Sequence, residues 1–182
     1  MVNIYHKICN KTNSTLGFIR RNLKHCNRKF KETAYISLVC SLFDYSSTVW
    51  DPHLQKDINR IENVQRRAAR FIYSDYKQTS SITAMMNELG WMSLNERRKE
   101  QRLVLLFKIV NDLVAIPADN NIEYNQRPSR TSNSKQIKVP SATTEIYKHS
   151  FVPITVKDWN TLTESAVSRK TVEGFKAVIS RD

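Results

Sequence analysis

Lys56, Arg60, Arg66, Arg67 and Arg70 put five cations on one short stretch of chain. A guanidinium is a planar fork that donates two parallel hydrogen bonds, the geometry a phosphate accepts. The chemistry open to this row is therefore the holding of a polyanion. Arg20, Arg21 and Lys77 lie outside the stretch and are candidate additions to it. The row sits on Leu54–Tyr76, where Leu54, Ile58, Ile61, Val64, Ala68, Phe71 and Ile72 recur at three- and four-residue steps. That spacing predicts an α-helix with a core-facing stripe. At about 100° per residue the cations fall on the opposite side. Glu62 is the one acidic residue within helical reach of Arg66, Arg67 and Arg70, and it cannot neutralise all three. The alternative reading is a solvated charged face, as basic helix faces commonly are.

Other chemistry finds less support. Polymerases and nucleases that use metal ions need converging carboxylates. Here Glu145 and Asp158 have no acidic neighbour in sequence, and no two aspartates are adjacent anywhere. No catalytic residue is assigned. His6, Cys9, His25 and Cys26 fit no zinc-finger or knuckle spacing, so no metal is expected. Three glycines cannot build a phosphate-cradling loop, and no cofactor is implied. Trp50, Trp91 and Trp159 could stack bases, but their apolar neighbours favour packing. Cys40 reads as a small core filler.

The elements that must position these residues are helical. Ile4–Leu23 reads as a first helix, with Ile4, Ile8, Leu16, Ile19 and Leu23 toward the core; Asn13-Ser14 could divide it. Arg20, Arg21, Lys24, Arg28, Lys29 and Lys31 form a basic cluster around a turn. Phe30–Ser47 reads as a second helix with Tyr35, Leu38, Val39, Leu42 and Ser46 on one face, ended by Asp51-Pro52. After the central helix, Ser80 or Ser81 can cap a short helix closed by Gly90. Ser93-Leu94-Asn95-Glu96 is a capping box opening a helix to about Leu113. Its first half, Glu96–Arg102, is expected to be solvated, and its second half to bury Leu103, Leu106, Phe107, Val110 and Leu113. Ala118–Ser134 is polar and reads as a linker. Beyond it, Gln136–Val139 and Ile154–Val156 could be short strands or extended chain, Trp159 and Leu162 could anchor a helical turn, and Thr171 can cap a last helix. The expected class is mainly α: a helical bundle with a less regular C-terminal extension containing short extended segments and a final helix. The expected division is 1–116 helical domain, 117–135 linker and 136–182 extension.

Composition agrees with a polyanionic partner. Of 182 residues, 29 are Lys or Arg against 17 Asp or Glu, a formal net charge of +12. With 40% hydrophobic residues a packed core is affordable, and only 3 Gly and 5 Pro favour long helices. An odd cysteine count implies no disulfide framework and a reducing compartment. The start MVNIYHKICNK lacks the apolar core of a signal peptide, and Ala34–Phe43 is too short to span a bilayer. An intracellular protein, cytoplasmic or nuclear, with no membrane partner is expected.

The segment LGFIRRNLKHCNRKFKETAYISLVCSLFDYSSTVWDPHLQKDINRIENVQRRAARFIYSDY resembles the C-terminal part of non-LTR retrotransposon reverse transcriptases of the jockey type. The residues that carry the likeness are Leu16-Gly17-Phe18, Arg20-Arg21-Asn22, Tyr45, Val49-Trp50-Asp51-Pro52 and Glu62 through Arg70. Glu88-Leu89-Gly90-Trp91, Leu94, Glu96-Arg97-Arg98, Ser150-Phe151, Pro153, Trp159-Asn160 and Phe175-Lys176 continue it in the family's order and spacing. Cys40-Ser41 stands where an Arg-Pro pair is usual, and Thr163 where a proline often follows.

The resemblance implies the thumb, and the segment after it, of an RNA-directed DNA polymerase. Fingers, the palm with its paired aspartates, and an endonuclease domain would lie upstream. The chain is then expected to be a truncated, noncatalytic fragment or relic of a transposable element. It would grip RNA or DNA by the phosphate backbone and, in the intact parent, pack on its own palm domain. The rival expectation is a helical interaction or scaffold fragment whose palm-facing apolar surface drives self-association.

Overall fold

In a computed structural model, residues 2–45, 47–116, 122–125 and 133–180 are described. The protein is mainly helical, with a less regular C-terminal region. Among the described residues the only extended pairing outside helices is a single antiparallel bridge between Tyr124 and Ile137. Contacts divide the chain into two compact units, Met1–Arg98 and Lys99–Asp182.

The first unit holds α1 (Val2–Asn22), α2 (Arg28–Tyr35), a π-helical stretch (Ile36–Cys40), α3 (Ser41–Asp44), α4 (Ser47–Trp50), α5 (Gln55–Tyr73) and α6 (Ile82–Glu88). Asn13 and Ser14 do not divide α1. The Asn13 amide donates back to the Cys9 carbonyl at 2.9 Å, one turn earlier, so a residue prone to break helices is tied into this one. Its Leu16 and Ile19 are buried with Tyr35, Val39, Cys40, Phe43, Trp50, Ile61, Val64, Ala68, Phe71, Ile72 and Leu94 in one core. Ile4, expected inward, is exposed near the chain's start.

The expected single helix over 30–47 takes a different course. Its middle turn is π-helical, and each residue added to a turn shifts the phase of everything after it. Tyr35, Val39, Cys40 and Phe43 therefore share the buried side, while Leu38 is 49% exposed. Ser46 lies outside the described residues. Leu54 is likewise exposed, because it is the extended residue preceding α5 and not part of its stripe.

Local grammar sets the remaining helix ends. The Ser81 hydroxyl accepts from Ala84 N–H, and Gly90 has φ +65°. Ser93 N–H donates to Glu96 Oε2 at 3.1 Å while Glu96 N–H donates to Ser93 Oγ at 3.2 Å, a complete capping box. It opens α7 (Leu94–Val110), whose first residues belong to the first unit and whose remainder belongs to the second. The helix ends at Val110; Asp112 turns left-handed at φ 53°, and Leu113, expected inside, is exposed.

The expectation that Glu96–Arg102 is solvated is wrong at Arg98 and Arg102. Arg98 is only 3% exposed, with Nε 2.7 Å from Asp51 Oδ1, and Arg102 is buried with Nη2 3.0 Å from Asp158 Oδ2. Each arginine has a carboxylate waiting from a segment distant in sequence, which lets a charge enter the interior.

The second unit contains α8 (Glu145–Lys148), α9 (Phe151–Asn160), α10 (Glu164–Val167) and α11 (Val172–Ile179). Its core joins Leu103, Leu106 and Phe107 of α7 to Ile137, Val156, Trp159, Ala166, Val167 and Phe175. Because the second half of α7 packs here, the division falls at 98 and not at the expected 116. Most of the expected linker, 117–121 and 126–132, lies outside the described residues.

Ile154–Val156, one of the two candidate strands, is helical: Pro153 is tolerated in a first turn, and Val156 and Trp159 reach the same core from one face. The other candidate, Gln136–Val139, is extended and supplies the bridge at Ile137. Asn160 brackets it, accepting from Ile137 N–H at 3.0 Å and donating to Ile137 O at 2.7 Å. The Trp159 indole N–H donates to Lys135 O at 2.9 Å. Thr171 caps α11 by accepting from Gly174 N–H, as its position predicts.

Candidate nucleic-acid interface

Helix α5 is the long rod of the first unit, and its apolar stripe is where the sequence puts it: Ile61, Val64, Ala68, Phe71 and Ile72 are buried. With that side turned inward, Lys56, Arg60, Arg66 and Arg67 are exposed, and Arg70 is half-buried. Ser74, left-handed at φ 54°, ends the helix, and Lys77 follows in the exposed turn.

The arginines are steered by partners that are not carboxylates. Arg60 Nη1 lies 2.6 Å from His6 Nδ1, and Arg67 Nη1 donates to Asn13 Oδ1 at 3.0 Å. Both pairs are separated by 54 residues, and the contacts step by seven along each helix. Helices α1 and α5 therefore run parallel, side by side. One further step of seven along α1 brings Arg20, whose guanidinium carbon is 5.5 Å from the centroid of Tyr76. From His6 to Arg20 this seam is about 21 Å long. Arg66 Nη1 reaches back to Asn63 Oδ1 at 3.4 Å, and Arg70 Nη1 donates to Lys77 O at 2.8 Å. The structure thus brings Arg20, Arg60, Arg67 and Arg70 onto one seam and its end, with Lys56 before it and Lys77 beyond it. Arg66 points to the other edge of the outer face. Arg21 is exposed on α1.

Carboxylates are largely kept away from this row. Glu62 was expected to be its acidic neighbour. It is buried instead, and its two oxygens accept from Leu94 N–H at 3.3 Å and Asn95 N–H at 2.8 Å, capping the N-terminus of α7. Asp57 is also buried; it is hydrogen-bonded to Tyr5, whose phenol is pushed up first by desolvation and then by that carboxylate. Asp75 is held below the usual carboxylate range by the Ser80 hydroxyl and then by the Lys77 N–H, with Lys77 and Arg70 adding attraction. Lys56, Arg66 and Arg67 have no ion pair among the described residues. The first unit as a whole has sixteen Lys and Arg against eight Asp and Glu, a net +8 of the chain's +12.

Not every cation of the basic cluster is available. Arg28 pairs with Glu88 at 2.6 Å, which raises its pKa, and stacks 4.1 Å from the Tyr73 ring centroid. Lys31 is buried, with Nζ 2.7 Å from Ser74 Oγ and 5.1 Å from the Phe71 ring centroid. Arg98, expected outside, lies under Trp50 with burial pushing its pKa down to about 10. Its Nη1 has no partner among the described residues.

No family model, curated protein or solved structure matches the chain.

The tryptophans serve packing. Trp159 is fully buried, Trp50 is buried and donates to Tyr45 O at 2.8 Å, and Trp91 stacks on Tyr35 at 4.6 Å. No group of three His, Cys, Asp or Glu side chains that could hold a metal ion forms among the described residues. No helix among them is long and apolar enough to cross a membrane. Sequence reasoning missed His6, Asn13 and Tyr76 as the seam's orienting partners. Their signal is the seven-residue step, two helical turns, shared by positions 6, 13 and 20 with positions 60 and 67.

Proposed function

We propose that the chain is the thumb and post-thumb region of a jockey-type non-LTR retrotransposon reverse transcriptase, carrying no polymerase chemistry by itself. In this reading it binds the phosphate backbone of RNA or DNA through the outer face of α5. The observation that carries the proposal is the direction of Glu62. With that carboxylate spent on the α7 cap, Arg66, Arg67 and Lys56 keep their full charge toward solvent. Neutral partners such as Asn13 hold the guanidinium of Arg67 in place without cancelling its charge, so the fork keeps donors for a phosphate. In the intact parent the same region would rest on its palm domain.

The test is the triple replacement of Arg66, Arg67 and Arg70 by Gln, measured by fluorescence anisotropy on two unrelated duplexes over a salt series. Binding should weaken equally for both sequences, because phosphate contacts read no bases. The slope of log affinity against log salt should flatten by roughly two to three, at about 0.9 per contact. Circular dichroism should be unchanged, since Arg and Gln are both good helix formers. A folded variant with the wild-type slope overturns the proposal.

The rival from another class is a helical interaction fragment, favoured by the exposed Ile36, Leu38 and Tyr45 around the π-helical stretch. Sedimentation in the absence of nucleic acid separates the two: concentration-dependent dimers abolished by Leu38→Lys support the rival.

A further inference from the structure

The end of the first unit where α1 stops, α2 starts and α5 stops has a different character from the α5 row. Arg28 and Lys31 of α2 touch Tyr73, Ser74 and Phe71 of α5, and Arg20 of α1 touches Tyr76, so the three helix ends meet. Two aromatic rings stand out from this end. Phe30 is 67% exposed and Tyr76 is 53% exposed. Each is flanked by cations: Lys29 precedes Phe30, Lys77 follows Tyr76, and Arg20 lies against the Tyr76 ring. Of the nearby acids, Glu88 is engaged with Arg28 and Asp75 with Ser80 and the Lys77 N–H, while Glu32, close enough to act on Arg28 and Tyr73, leaves the cations of this end in excess.

An exposed ring surrounded by apolar atoms fits a protein partner. A ring surrounded by ammonium and guanidinium groups fits a chain that repeats one aromatic plane and one negative charge per unit. We infer that this end is a single-strand platform: unpaired bases of RNA or DNA stack on Tyr76 and Phe30 while Arg20, Lys24, Lys29 and Lys77 hold the intervening phosphates. Bases in a duplex are already stacked on each other and cannot use these rings, so the platform is specific for an unpaired strand. Arg20 approaches the Tyr76 ring from one side, and more than half of the residue remains open for a base. The inference rests on the proposed nucleic-acid role; it shares Arg20 and Lys77 with the seam but adds the rings of Tyr76 and Phe30 and a different form of nucleic acid.

The test uses the full chain, with a labelled single strand of mixed sequence, its duplex, and the same strand with abasic sites. Tyr76→Ala and Phe30→Ala should each weaken binding of the intact strand by about tenfold, the usual scale for one stacked base. Duplex binding should stay within twofold, and Tyr76→Phe should bind the strand as wild type does. The abasic strand should bind the unmodified chain about as weakly as the intact strand binds the variant carrying both Tyr76→Ala and Phe30→Ala. Both rings are exposed, so circular dichroism should be unchanged. A strand containing bromouracil should cross-link on irradiation to the peptide carrying Tyr76 or Phe30. Equal binding of the intact strand by wild type and both alanine variants overturns the inference. So does equal binding of intact and abasic strands, or displacement of the strand by an acidic, tyrosine-rich peptide that then requires the same rings. If the triple Gln variant keeps its duplex salt slope while these ring effects appear, the α5 proposal fails and the platform stands.

Discussion

Replacing Glu62 by Gln should destabilise the first unit without strengthening nucleic-acid binding. The carboxylate accepts two N–H groups at the start of α7, and hydrogen bonds to a charged acceptor contribute about 1.5–3 kcal/mol each. Gln keeps one carbonyl, worth about 1 kcal/mol, and turns its own N–H₂ toward the second donor. The favourable meeting of a negative charge with the positive end of α7 is lost as well. The expected net loss is about 2–4 kcal/mol. With a urea m-value near 2 kcal/mol/M, the unfolding midpoint should fall by roughly 1–2 M. Exchange of the Leu94 and Asn95 amides, followed by mass spectrometry, should accelerate by about 30- to 900-fold if the cap limits their opening. Duplex affinity is the second readout. A carboxylate screening the arginines from about 7 Å through water would, when neutralised, raise affinity about threefold. Because Glu62 faces α7, affinity should stay within twofold of wild type. A tighter-binding variant with an unchanged urea midpoint would refute the reasoning, since it would place Glu62 among the arginines and not under the cap.

Ser93→Ala should lower stability by about 0.5–2 kcal/mol by removing the hydroxyl that accepts Glu96 N–H; unchanged denaturant midpoints would exclude it as a cap. Ile61→Ala, in the fully buried stripe of α5, should cost more, roughly 2–5 kcal/mol in the same measurement. Asp51→Asn should cost about 3–5 kcal/mol, because the Arg98 guanidinium would be left buried without its carboxylate; thermal unfolding reads it, and a loss below about 1 kcal/mol would contradict the pairing. Purified chain should not extend a primer on RNA or DNA with magnesium or manganese, since no paired aspartates are present to hold two metal ions.

What could be read from the sequence depended on how far each cause reaches along the chain. The Ser93–Glu96 box, the Ser81 and Thr171 caps and the left-handed Gly90 act within four residues, and each was legible. So was the α5 stripe, whose buried Ile61, Val64, Ala68, Phe71 and Ile72 fix which side the arginines take. The π-helical turn at Ile36–Cys40 was not, because one added residue leaves the composition of 30–47 unchanged while rotating Leu38 outward. Arg98 and Arg102 were read as solvated because their partners, Asp51 and Asp158, lie 47 and 56 positions away. Glu62 misled for the same reason. Within α5 it is close to the arginines, and only the fold supplies the α7 amides that draw it away. Ile154–Val156 read as short strand or extended chain, whereas packing of Val156 and Trp159 on one face favours the helix found there.

The constant offset of 54 positions between α1 and α5 has a consequence for how the chain is made. Parallel helices cannot be joined by a short reversal, so every residue of α2 to α4 must be synthesised before α1 meets its neighbour. At 5–20 residues per second, the ribosome adds 54 residues in about 3–11 s. Through that interval the side of α1 meant for α5 has no partner to shield it. Nascent chains stalled before Gln55 should therefore engage chaperones, and those stalled well beyond Tyr73 should not.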